Sequence, residues 1–309
     1  MISNERNMNR REFLKASACA GGVAALGGCR WTFGGPAERV PYGPTVGDRL
    51  WMWGHHADSF ASMKGSEEQY NLPFDRRIDM AAACREMDIP GCFVVRWRNL
   101  PRKADLDAYM RQFADTKRVG FSITDSAVET FDEKVRLGLA LADRMPNLTT
   151  LVMDDYFNGD HVRLGLERQR QVRRETARRG MKLGCVLYSD SNGVKAEYRE
   201  ALDLCDELTF WFWDGKNVGT IEEQVGRLRD LVGAEKPILL GQYMYDFGGK
   251  TELSGADMAR QLAAASRLLS QKAIHGVIFH CTPLVDMNLD AVRVSKDWIR
   301  ANATKTWGA

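Results

Sequence analysis

The chain has 309 residues, 44% hydrophobic and 27% charged, the balance of a globular protein with room for one large barrel or two ordinary domains. No run of 18 or more apolar residues occurs, so the sequence offers no conventional membrane-spanning helix. The net charge of +2 is local: residues 1–28 hold four basic and two acidic side chains, and the body without them is neutral, which argues against electrostatic capture of nucleic acid.

In chain order, the first motif is Asn9-Arg10-Arg11-Glu12-Phe13-Leu14-Lys15, followed by an Ala- and Gly-rich stretch from Ala16 to Gly28. It resembles a twin-arginine translocation signal, and the weak hydrophobicity of the stretch is what that resemblance implies. Such segments are set aside in reading a fold. Leu26-Gly27-Gly28-Cys29 resembles a lipobox, which implies diacylglycerol attachment at Cys29; cleavage near Gly28 without lipidation is the plainer alternative. Either way the expected location is the periplasm or the membrane surface, with the lipid at Cys29 as the sole membrane link. Residues 30–48, rich in Gly and Pro, read as a tether. Cys84, Cys92, Cys185, Cys205 and Cys281 remain, with no CxxC pair and no zinc spacing. Folding before export, in a reducing compartment, predicts buried free thiols.

From residue 49 to 309, short β-branched or aromatic runs alternate with helical patterns. Strands are expected at 50–54, 92–97, 119–124, 148–156, 182–189, 207–213, 237–245 and 276–281. Helices are expected at 74–87, 105–116, 131–144, 161–179, 194–204, 220–232, 255–271 and 288–301, with Ser254 and Asp257 at a cap. Eight βα units of this size predict a single-domain (β/α)8 TIM barrel, whose strands are continuous apolar runs because both faces are buried. A doubly wound open sheet is the alternative. No GxGxxG or Walker A loop occurs, and no cofactor is expected. The helix at 161–179 carries seven arginines, either a polyanion site or a solvated outer face; the neutral body favours the latter.

Barrel chemistry sits at the C-terminal strand ends. Here they supply, in order, His55, His56 and Asp58; Arg96, Trp97 and Arg98; Thr124 and Asp125; Asp154, Asp155, Tyr156 and Phe157; Tyr188, Ser189 and Asp190; Trp211, Trp213 and Asp214; Gln242, Tyr243, Tyr245 and Asp246; His280 and Cys281. Flat aromatic faces with Asp, His, Arg and Gln suit a carbohydrate: rings stack on the sugar and polar groups bond its hydroxyls. Glycoside cleavage also needs two acids, one protonated and one ionised. Asp154, Asp155 and Asp246 are the expected catalytic acids. His55, His56, Arg96, Tyr188, Trp211, Trp213, Gln242, Tyr243, Tyr245 and His280 are the expected sugar contacts. Strand alternation would send Asp154 and Asp155 to opposite faces, so no close carboxylate pair is expected. GxSxG and HExxH are absent. The stretch 57–73 is either a plain surface loop or a cover for a ligand.

Tyr243-Met244-Tyr245-Asp246-Phe247 resembles the Met-x-Tyr-Asp-Phe segment of chitinase-like, family-18 glycosidases, with Tyr243 in place of Met. That resemblance implies that Tyr245 and Asp246 contact the sugar and the reaction centre. The family's DxxDxDxE strand is not reproduced, since Asp154-Asp155-Tyr156-Phe157 lacks the terminal Glu. The leading expectation is therefore a glycosidase-like enzyme acting on carbohydrate outside the cytoplasm. A metal-dependent hydrolase using His55, His56 and His280, and a non-catalytic glycan-binding lipoprotein, remain open beside it.

Overall fold

A computed structural model describes residues 39–61, 70–72, 78–157, 161–189 and 194–308. The twin-arginine segment, Cys29, residues 30–38, residues 62–69 and Asp190 lie outside the described residues. Eight strands form: β1 (Leu50–Gly54), β2 (Gly91–Val94), β3 (Arg118–Ser122), β4 (Leu148–Met153), β5 (Lys182–Tyr188), β6 (Glu207–Trp211), β7 (Ile238–Tyr243) and β8 (Gly276–His280). They pair in parallel, in sequence order, and β8 closes on β1 with Trp51 opposite Ile278. The protein is a single-domain (β/α)8 barrel, as the alternation of patterns predicts.

The alternation along each strand builds the interior. Phe93 packs against Trp51 and Trp53 from β1, with ring centroids 4.5 and 5.5 Å apart. Glycines on neighbouring strands make room for such rings. A Cβ at Gly120 would lie 2.2 Å from the Phe93 ring, and one at Gly241 would lie 2.0 Å from the Trp211 ring. Either substitution would force a large aromatic out of a close-packed core.

The surrounding helices are α1 (Asp58–Ala61), α2 (Met80–Glu86), α3 (Leu106–Met110), α4 (Phe131–Arg144), α5 (His161–Ala177), α6 (Arg199–Asp203), α7 (Ile221–Val232), α8 (Gly255–Ser270) and α9 (Asp290–Asn302). Helix α4 has the expected bounds: Thr130 and Glu133 form a reciprocal capping box at its start, and it stops before Pro146. Ser254 caps α8 by accepting from the Asp257 amide at 3.1 Å. Helices α3 and α6 are shorter than expected and continue as 3-10 turns, while α1 had no clear periodic signal. The arginines of α5 and of the turn after it pair with acids on neighbouring segments: Arg168 with Asp132 at 2.7 Å, Arg173 with Asp206 at 3.1 Å and Arg179 with Asp143 at 2.9 Å. They form a solvated outer face, each exposed pair contributing at most about 1 kcal/mol.

Residues 39–48 do not behave as a tether. Arg39 donates to the Ala142 carbonyl at 2.8 Å and the Arg179 carbonyl at 2.6 Å, serving the ends of two outer helices. Tyr42 accepts from the Trp51 indole at 2.9 Å, and the guanidinium of Arg118 and the ammonium of Lys182 lie 4.5 and 4.6 Å from its ring centre. Glu207, about 1% exposed, accepts from Thr150 at 3.0 Å and lies 3.5 Å from Lys182. The N-terminal end of the barrel is thus closed by an aromatic and a set of mutually compensated charges.

Candidate functional site

The C-terminal end holds a cavity of about 660 Å³ counting its open mouth. Of the expected residues, the structure brings Asp154, Asp155, His55, Tyr188, Trp211, Trp213, Tyr243 and His280 to its wall. Trp53, Phe60, Tyr70, Trp97 and Phe247 complete the lining. Trp53 had a readable signal, since Trp51, Trp53 and His55 share one face of the first strand. Trp97 and Phe247 stand in segments already singled out. Phe60 and Tyr70 come from the loop after β1, where no period marks a wall residue.

The two strand-four acids depart from expectation. Strand β4 ends at Met153, and Asp155 adopts a left-handed backbone with φ 49°. The two-residue alternation of a strand no longer applies, so both carboxyl groups line the same cavity. Their environments differ. Burial, and then the charges of Asp155 and Asp125, push the Asp154 carboxyl well above the ordinary carboxylate range. Asp155 is instead in hydrogen-bonding contact with the Tyr188 hydroxyl, which also contacts the Tyr243 hydroxyl. Burial keeps both phenols protonated.

His55 and His280 face each other across the β1–β8 seam, Nε2 to Nε2, at 3.3 Å. Burial pulls the His55 imidazole down to about 3, against a nearby Val95 carbonyl that works the other way. Burial, with His55 adding to it, holds His280 well below its usual value. Both rings are neutral at neutral pH, one donating to the other. Thr282 fixes this corner, accepting from the His55 amide at 3.0 Å and donating to the His55 carbonyl at 2.8 Å. The metal-ligating atoms of His55, His280 and Cys281 lie within 4.8 Å of one another, and this trio is the group that could hold an ion among the described residues. His56 does not join it: its ring packs on Tyr109 at 5.0 Å, and its Nδ1 accepts from the Asp58 amide at 3.1 Å.

Four further expected residues are placed away from the cavity lining. Asp246 accepts from the backbone amides of Gly215 at 3.2 Å and Gly249 at 2.8 Å, so its carboxylate organises two rim loops. Arg96 is fully buried and forks onto Glu129 at 2.9 and 3.1 Å, behind the rim. Gln242 alternates with Tyr243 along β7 and is buried on the opposite face. Tyr245 donates its hydroxyl to the Tyr70 carbonyl and so holds a wall residue in place.

No protein-family model matches the chain, and comparison with curated proteins gives no match. Among solved structures, the spore cortex-lytic enzyme SleL of Bacillus megaterium superposes with a TM-score of 0.52 at 5% identity, covering 83% of this chain and 74% of that one. SleL of Bacillus cereus gives 0.50 at 10% identity, covering 87% and 77%. A chitinase from Chromobacterium violaceum gives 0.50 at 11% identity, covering 82% and 99%. At such identities the likeness shows a shared barrel fold, which glycosidase-like proteins also use.

Proposed function

We propose that the protein is a glycoside hydrolase acting on carbohydrate outside the cytoplasm, with Asp154 and Asp155 as its reacting pair. The observation that carries the reading is the meeting of two adjacent acids in one aromatic-walled cavity, where burial holds the Asp154 carboxyl well above the ordinary range. Asp154 keeps its proton and can deliver it to the leaving-group oxygen. Asp155, held as an acceptor by Tyr188, faces the positive charge that develops on the sugar ring. Trp213 and Tyr243 offer flat faces to the ring, and the neutral His55–His280 pair borders the same space. Asp246, the opposing group expected from sequence, is replaced in that role by Asp155. The kinship of fold with a chitinase and with spore cortex-lytic enzymes supports the class. The twin-arginine-like segment and the lipobox-like Cys29 support the location and a lipid anchor.

The test is turnover of a panel of aryl glycosides and short glycans by the wild-type chain and by a variant with both Asp154→Asn and Asp155→Asn. Loss of all cleavage with the fold retained is expected. Wild-type rates in the double variant would reject the reading. Metal analysis of the purified chain decides the hydrolase alternative at His55, His280 and Cys281: a stoichiometric ion whose removal abolishes turnover would favour it.

A further inference from the structure

The cavity is unusual in what it offers a ligand. Nine of its thirteen lining side chains are aromatic, two are carboxyls and two are the paired histidines. Among the described residues, no lysine or arginine lines it. Arg98 lies 5.5 Å from the centre of the Trp97 ring, and the charge of Lys134 reaches Asp154, yet neither residue is part of the wall.

The aromatic rings form two banks. On one side Trp213, Tyr243 and Phe247 pack with centroids 5.6 Å apart, and Tyr70 joins Phe247 at 5.1 Å. On the other, Trp97 lies 5.8 Å from Phe60 and 5.2 Å from His55. Trp53 and Trp211 meet edge to face at 5.2 Å, and Trp211 lies 5.2 Å from Tyr243. The two acids enter from the end of β4.

Some of the polar capacity here is already engaged, while the buried Nδ1 of His280 has no hydrogen-bond partner among the described residues. The Trp211 indole donates to Thr209 at 2.8 Å. The facing nitrogens of His55 and His280 contact each other. Tyr243 and Tyr188 are chained to Asp155. A neutral ligand can bond the carboxyls but draws little attraction from the ring faces. A compact cation fares differently. Ring faces carry negative charge, and several rings around one ammonium act together. The carboxylate supplies the counter-charge.

We propose that this cavity binds an alkylammonium group, quaternary or protonated primary, seated between the two aromatic banks and facing Asp155. The inference concerns binding and does not depend on cleavage. Where the glycosidase reading also holds, it makes the substrate a glycoside that carries a free amine.

The experiment titrates the full chain with choline and with its neutral isostere, in which carbon replaces the quaternary nitrogen. Indole fluorescence and calorimetry follow the binding. The two probes share shape and apolar surface and differ in charge. Choline is expected to bind at least about tenfold tighter. Asp155→Asn is expected to weaken choline about tenfold and to leave the isostere unchanged. Trp213→Leu, which keeps apolar volume but removes the ring face, should weaken choline alone by a smaller factor, and melting curves verify that each variant folds. Equal affinity for the two probes, tighter binding of the isostere, or no saturable choline binding would overturn the proposal. A chain that binds choline and cleaves no glycoside keeps this inference and rejects the other.

Discussion

The two ends of the barrel handle buried charge in opposite ways. At the N-terminal end Arg118 and Glu207 are each about 1% exposed, yet Glu207 lies 3.5 Å from Lys182 and Arg118 packs on the Tyr42 ring. At the C-terminal end Asp154 has no cation beside it in the cavity wall, and two like charges raise its proton affinity further. Compensated charge at one end closes the fold. Poorly compensated charge at the other is costly, and the cost has the form that acid catalysis requires: a carboxyl that holds its proton above the ordinary range.

The strongest way to break this contrast is at Asp154. Asp154→Asn should lower kcat by roughly 1,000-fold, the scale of a lost general acid. The same change should raise the melting temperature above neutral pH. A carboxyl whose folded value is raised stabilises the fold at low pH, and that contribution is lost as pH rises through the folded value. For the wild type, the same raised value predicts an activity that falls on the alkaline side as Asp154 ionises. A parallel pH–rate profile and melting series would read both effects.

Glu207→Ala tests the other end. It leaves the buried end of Lys182 without its acid, and should destabilise the fold by about 3–5 kcal/mol in a urea titration. Turnover by the molecules that remain folded should be unchanged. A drop in kcat there would mean that the two ends are coupled.

His55 makes a graded test of burial in the cavity wall. Its folded value near 3 lies below the ordinary 6.5, so the stability it confers is complete above 6.5 and is lost as pH falls toward 3. The full loss is on the order of 4 kcal/mol. A His55→Asn variant should lose less stability than the wild type between neutral pH and pH 4. The smallest effect belongs to the aromatic wall: Trp213→Ala should raise KM about tenfold with little change in kcat, because stacking holds ground state and transition state alike.

Much of the fold was legible in the sequence because its signals are local and repeated. The apolar runs of β1 to β8 need only chemistry and period to be read, and Thr130, Ser254 and Pro146 mark helix ends by backbone valence alone. Strand ends were less legible. Polar rim residues such as Trp97 and Tyr245 continue the strand-like composition after pairing has ceased, so the expected strands ran one to three residues long. The site was legible in half. Which rims carry acids and aromatics could be read from strand ends, but their direction depends on where the strand stops. That one uncertainty separates Asp155, which a left-handed residue turns into the cavity, from Gln242, which alternation keeps out of it.

The amino-acid sequence by itself determined the barrel, its eight units and the concentration of Asp, His, Trp and Tyr at one end, because periodicity and hydrophobicity act over a few residues. Only the tertiary structure decided that Asp154 and Asp155 share a cavity, that Asp246 serves two loop amides instead, and that residues 39–48 seal the far end. Each of those outcomes depends on a partner tens to hundreds of residues away, or on one backbone angle at a strand end, and neither leaves a period in the chain.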